Sequence, residues 1–166
     1  MFLPQDCNLR KNHIVNDLEA IEGYLQLEML EDAFIELRNI PTDQQNSERY
    51  KELLLATEMM LKHWESAAAT AKELCKINPN EKSYFIHAAF CLHEIAETRL
   101  ALQHLLSGPS SLHNDPLYHY NLACYHAVLG SETDARNCLS IAFSLDPELK
   151  ATAVEDKDLR SIYPMK

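Results

Sequence analysis

Glycine is scarce in this chain, with three in 166 residues. A sheet protein would need more of it for its turns, so the count points to helices. Long apolar runs are also missing. Nothing approaches the roughly 18 apolar residues that a membrane-crossing helix needs, and no membrane insertion is expected. The stretch Met1 to Lys11 has no long apolar core behind a basic end and does not read as a signal peptide. Positive charge is in deficit: 15 Lys and Arg against 25 Asp and Glu, a net charge of −10. The basic residues are scattered, whereas a nucleic-acid binder would gather them into a patch. Nucleic acid is therefore not an expected partner, and the acidic balance favours a basic or apolar one. The five cysteines (Cys7, Cys75, Cys91, Cys124, Cys138) are an odd number with no framework spacing and no CxxC. They read as reduced thiols in a cytoplasmic protein.

Catalytic signatures are lacking too. There is no Gly-rich phosphate loop, no nucleophile elbow and no carboxylate pair that stands out from solvated helix faces. His93-Glu94 lacks the second histidine of a zinc motif. His87 and Cys91 share a helix face four residues apart, and a lone pair of this kind reads as packing. His119 and His126, seven apart, read as core substitutes for aromatics. The acidic run Glu28, Glu31, Asp32 and Glu36 reads as a solvated face. The expectation is a protein that is not an enzyme and carries no cofactor and no metal.

What the chain does have is a period. Ala33, Ala67, Ala101 and Ala135 are each 34 residues apart. Four residues after each comes Leu37, Ala71, Leu105 or Leu139, and Tyr50, Tyr84 and Tyr118 repeat at the same interval. A period of this length marks stacked helix pairs. Four units follow, about 14–47, 48–81, 82–115 and 116–149. Each reads as two short amphipathic helices joined by a tight turn. In the last unit, Leu117, Tyr120, Ala123, Cys124, Ala127 and Val128 recur at three- and four-residue steps. Gly130 then suits a left-handed helix end, and Ser131, with Asp134 after it, suits a cap on the next helix. That helix carries Ala135, Leu139, Ala142, Phe143 and Leu145.

Prolines set a longer rhythm. Pro79 and Pro147 are 68 apart, and so are Pro41 and Pro109. Pro41 and Pro109 fall earlier in their units and should end the second helices there, leaving polar loops at Thr42 to Ser47 and Ser110 to Asp115. Asp146 before Pro147 reads as a cap followed by a proline in the first helical turn. A capping segment, 148–163, should then cover the bare end of the stack with Leu149, Ala153, Val154, Leu159 and Ile162. Residues 1–12 show no period and read as a flexible tail, leaving 13–163 as one domain.

These residues resemble the tetratricopeptide repeat, whose pattern runs from an aromatic through Leu-Gly, Tyr and Ala to a closing Pro. Unit four is the best match, with Asn121-Leu122-Ala123, Gly130, Ala135, Leu139, Ala142 and Asp146-Pro147. Unit two matches at Leu54, Trp64, Ala67, Ala71, Leu74 and Pro79, and unit three at Phe85, Ala88-Ala89, Leu92, Ala101 and Leu105. Unit one matches at Ala20, Tyr24, Leu30, Ala33 and Leu37. The implied fold class is all-α, an α-α superhelix of about nine to ten short helices.

The resemblance also implies a concave face built from the first helix of each pair. Its positions are Val15, Leu18, Glu22 and Leu25 in unit one, and Arg49, Glu52, Ala56 and Met59 in unit two. In unit three they are Ser83, Ile86, Phe90 and His93, and in unit four Leu117, Tyr120, Cys124 and Ala127. A lining that is mostly apolar suits a peptide with hydrophobic anchors. The Lys, Asn and Arg clamp that some relatives use for heat-shock-protein tails is not matched: Leu18, Glu22, Leu53, Ser83 and His87 stand there.

The function implied is a protein–protein interaction scaffold for a protein or peptide partner, as a monomer or weak homodimer. Two alternatives stand beside it. The stretch Phe85 to Leu92 is similar to the small helical-repeat chaperones that hold type III translocators, and the chain could also be a structural subunit of an assembly. A packed groove, with a terminal segment folded into it, is the bland counterpart of an open one.

Overall fold

The computed structural model describes residues 17–163. The expected tail over 1–12, the groove position Val15 and Cys7 lie outside the described residues. Among the described residues there are nine α-helices, two short 3-10 helices and no strand. They are α1 (17–26), α2 (Leu30–Asn39), α3 (Glu48–Met60), α4 (Trp64–Ile77), α5 (Lys82–Glu94), α6 (Thr98–Leu106), α7 (Pro116–Val128), α8 (Glu132–Leu145) and α9 (Leu149–Glu155). The 3-10 helices are Ser110–Asn114 and Lys157–Leu159. The all-α class built of successive helix pairs is the one found. The chain divides into two compact units, one ending at Thr70 and one beginning at Ala71.

The periodic residues are the buried ones. Ala33, Ala67, Ala101 and Ala135 have no exposed surface, and Tyr50, Tyr84 and Tyr118 are buried. Alanine at these points lets helix backbones come close, and α5 packs on α6 as α7 packs on α8. In the second unit α7 also meets α5 and α6, so two consecutive pairs share a core. In the first unit the core gathers Ile21, Ala33, Leu37, Ile40, Tyr50 and Leu53. The stripes are narrower than the sequence suggested: Leu117, Val128 and Leu145 are each more than 40% exposed.

Pro41 and Pro109 act as their positions predict. The second helices α2 and α6 have 10 and 9 residues, and α4 and α8 have 14 each. The loop after Pro109 is more than polar coil. It winds into the 3-10 helix and buries Leu112. Gly108 permits this, because a Cβ there would collide with the Leu112 side chain. Asp115 accepts a hydrogen bond from the Leu117 N–H at 3.0 Å and stands before Pro116 at the start of α7. Asp146-Pro147 does not repeat this arrangement. Asp146 accepts from the Glu148 N–H at 3.0 Å, but it is the C-cap of α8, and α9 starts only at Leu149 with Glu148 before it. The expected cap followed by a proline in the first helical turn is instead a turn that links the two helices.

The turn inside each pair repeats with the same period. Glu28, Lys62, Ala96 and Gly130 all have positive φ, between 57° and 81°. At Gly130 the turn is closed by Ser131 N–H to His126 C=O at 2.8 Å and by Gly130 N–H to Ala127 C=O at 3.1 Å. The same two bonds recur around Glu28, Lys62 and Ala96, which is the Schellman ending of a helix. This geometry corrects one expectation. Ser131 stands at the cap position of α8, but its side chain accepts no backbone bond. Its own N–H is engaged with the preceding helix, and ψ is 68°, outside the extended conformation that a side-chain cap needs.

Three of the four left-handed sites therefore carry a side chain. An L-residue in this conformation costs roughly 1–2 kcal/mol, and glycine gives back about 0.4–1 kcal/mol through the unfolded chain. Ala96→Gly should stabilise the protein by about 0.5–1 kcal/mol, read as a higher urea midpoint. Gly130→Ala should do the reverse by a similar amount, since a Cβ there meets nothing within 4 Å and the loss is conformational.

Candidate functional site

In the second unit, α5 and α7 are the first helices of consecutive pairs. Each begins on a carboxylate cap. Glu81 accepts from the Ser83 N–H at 3.1 Å and from its hydroxyl at 2.8 Å, and these bonds hold the carboxyl below its usual pKa. Asp115 caps α7 and pairs with Lys82 at 2.6 Å. With both starts tied, α5 offers Phe90, His93 and Glu94, and α7 offers Tyr120, Asn121, Cys124 and Tyr125, to one pocket of about 230 Å³. The remaining wall is the chain's own segment Asp156, Lys157 and Asp158.

That wall is held by specific bonds. The Tyr120 hydroxyl donates to Asp156 Oδ2 at 2.8 Å, and the Cys124 thiol approaches the same oxygen at 3.6 Å. His93 Nε2 lies 2.9 Å from Asp158 Oδ2, with Nδ1 3.0 Å from the Thr98 hydroxyl. With Nε2 donating to the carboxylate, Nδ1 accepts from Thr98, and both ring nitrogens are satisfied. Asp156 Oδ1 accepts from the Asp158 N–H at 2.9 Å, which turns both carboxylates inward while Lys157 stays exposed. Leu159 and Ile162 follow, both fully buried, and Arg136 donates to the Ile162 carbonyl at 2.6 Å.

Burial, then the neighbouring Asp156, pushes the Tyr120 hydroxyl and the Cys124 thiol well above their ordinary pKa values. Both remain protonated donors at neutral pH. Burial does the same to Tyr125, whose hydroxyl has no hydrogen-bond partner among the described residues. Elsewhere in the second unit, Cys75 and His104 form a sulfur–imidazole contact at 3.7 Å. Burial raises that thiol to about 11 and lowers the imidazole. The pair is thus thiol and neutral ring, which lacks the thiolate a nucleophile requires.

Four of the groove positions, Phe90, His93, Tyr120 and Cys124, meet in the pocket. Ile86 is half-buried and Leu117 is 48% exposed, and neither lines it. In the first unit, Glu22 and Arg49 form an ion pair of 2.6 Å that Glu52 extends at 3.6 Å. All three side chains are well exposed, so the cluster contributes about 0–1 kcal/mol. Leu18 and Leu25 pack against the first unit's core, and Met59 is half-buried. Sequence reading missed the acidic wall because it weighed only the apolar positions of 148–163. Among those, Leu149, Ala153, Leu159 and Ile162 are buried, and Val154 is 39% exposed. Leu149 and Ala153 lie four apart on one face of α9, and Val154 is turned about 100° from Ala153.

No protein-family model matches the sequence, and no curated protein matches it. Solved structures do. The chain titled MamA MSR-1 C2 is similar at 15% identity and a TM-score of 0.72, over 80% of this chain and 76% of that one. A substitution mutant of MamA is similar at 15% and 0.70, over 78% and 76%. MamA RS-1 ArsTM double mutant is similar at 18% and 0.72, over 81% and 76%. At these identities the likeness is one of fold, the all-α arrangement described above.

Proposed function

We propose that the chain is a non-catalytic interaction module of the tetratricopeptide type, with four helix pairs, that binds a protein or peptide partner along the first helices of its pairs. The observation that supports this most is the pocket of the second unit. Phe90, His93, Tyr120 and Cys124, four groove positions from two helices, line one pocket together with Asp156 to Asp158, and three of them contact that segment's carboxylates. Peptide reception is what the tetratricopeptide resemblance implies for these positions, and the contacts of the chain's own segment there support the reading. Leu18, Glu22, Leu25, Arg49, Glu52 and Met59 are the corresponding surface of the first unit, with a charged cluster at its centre.

Affinity purification from the native cell tests the reading. Phe90→Glu should lose the partners that the wild-type chain captures, with an unchanged helical spectrum. Leu145→Glu, on an exposed position of α8, should keep them. Partners retained by Phe90→Glu would place the interaction elsewhere on the molecule.

A further inference from the structure

We propose that Asp156–Leu159 is an internal ligand, and that the partner of this pocket is an acidic segment presenting two carboxylates two residues apart with leucine directly after the second. The inference rests on the reading above and names the chemistry of what binds. Three donors of the pocket converge on two carboxylates. Tyr120 and Cys124 both point at Asp156 Oδ2, and His93 points at Asp158 Oδ2. His93 is itself oriented by the buried Thr98. Hydrogen bonds to an ionised acceptor are the strong kind, and here two carboxylates from one short turn are read by residues of two different helices. Lys157, between them, is exposed and joins the pocket wall outside these donor–acceptor pairs. Leu159 is buried without remainder, which supplies the apolar anchor.

The internal segment leaves one donor unused. Tyr125 lines the same pocket, and its buried hydroxyl has no hydrogen-bond partner among the described residues. A partner segment with a further acceptor at that depth would satisfy a group that the chain's own segment does not. The internal copy sets the threshold: a tethered ligand acts at an effective concentration in the millimolar range, so a partner in trans must outcompete it or meet a chain in which it has been lifted.

The experiment uses the full chain and a fluorescent peptide copying residues 154–163, followed by anisotropy. The chain is compared with its D156N/D158N variant. Asparagine removes both ionised acceptors, so Asp156–Leu159 can exchange out of the site, while the helicity of the rest of the chain serves as the check of folding. The peptide should bind the variant at least about tenfold more tightly than the wild-type chain, whose donors are already engaged by the tethered segment. A peptide with both aspartates replaced by asparagine should not compete. Adding Tyr120→Phe and His93→Gln to the variant should return binding to the wild-type level. Equal binding to the two chains, or indifference to the peptide's carboxylates, overturns the proposal. Should the double variant fail its folding check, Asp158→Asn alone leaves the Asp156 contacts intact and must show a rise in the same direction; no rise overturns it. If peptide binding fails while Phe90→Glu still loses its partners, the acidic segment is wrong and the surface stands. If Phe90→Glu keeps its partners, both fall.

Discussion

Leu159→Ala lowers the unfolding free energy by about 3–5 kcal/mol, the upper part of the range for a buried leucine. The residue has no exposed surface and sits in a 3-10 helix of three residues that packs on α7. So short an element has almost no stability of its own, and tertiary contacts hold it. On either side of Leu159 the chain is tied, through the Asp158 side chain to His93 at 2.9 Å and through the Ile162 carbonyl to Arg136 at 2.6 Å. The site therefore cannot collapse around the missing methyls, and a cavity remains. Urea unfolding at constant slope measures the loss. Val154→Ala is the control: its side chain is 39% exposed, and the change should stay within about 0.5 kcal/mol. A loss below about 1 kcal/mol at Leu159 would mean that the segment does not dock on α7 in solution.

Ala135→Leu should cost about 3 kcal/mol, at the top of the range for overpacking. Ala135 has no exposed surface and starts the face of α8 that meets α7. The facing helix is also lined by small residues, with Ala123 at 0% and Ala127 at 8% exposure. Added methylenes have no space to enter, and only separating the helices makes room. The same change at Ala101, on α6 against α5, should cost a similar amount. Ala151→Leu, exposed on α9, should change stability by no more than about 0.5 kcal/mol. The comparison is made by thermal or urea melts of the three variants. If Ala135→Leu proved neutral, close approach at the periodic alanines would not be what holds the pair.

Much of the fold was legible because it is written in local chemistry. A 34-residue period in Ala and Tyr marked the buried contacts, and all of those positions are buried. Pro41 and Pro109 shortened α2 and α6, because a proline in the helix interior removes a hydrogen bond whatever surrounds it. Gly130 announced a left-handed turn. The equivalent turns at Glu28, Lys62 and Ala96 were silent, since those residues do not favour positive φ and adopt it only when helix packing on both sides demands it. Leu112 was silent as well. Its burial depends on the gap beside Phe85 and Gly108, which exists only once α5 and α6 are placed.

The candidate site divides in the same way. Phe90, His93, Tyr120 and Cys124 were found from their helical register. Their partners were not. Asp156 reaches Tyr120 across 36 positions of chain, and Asp158 reaches His93 across 65. No period or spacing connects residues so far apart, and two aspartates flanking a lysine look like any solvated turn. By itself the sequence determined helices, their limits and the small residues where they cross, because backbone propensity and steric bulk act within a few residues. Only the tertiary structure decided which polar groups face one another in the pocket, because a hydrogen bond depends on distance in space and is indifferent to separation along the chain.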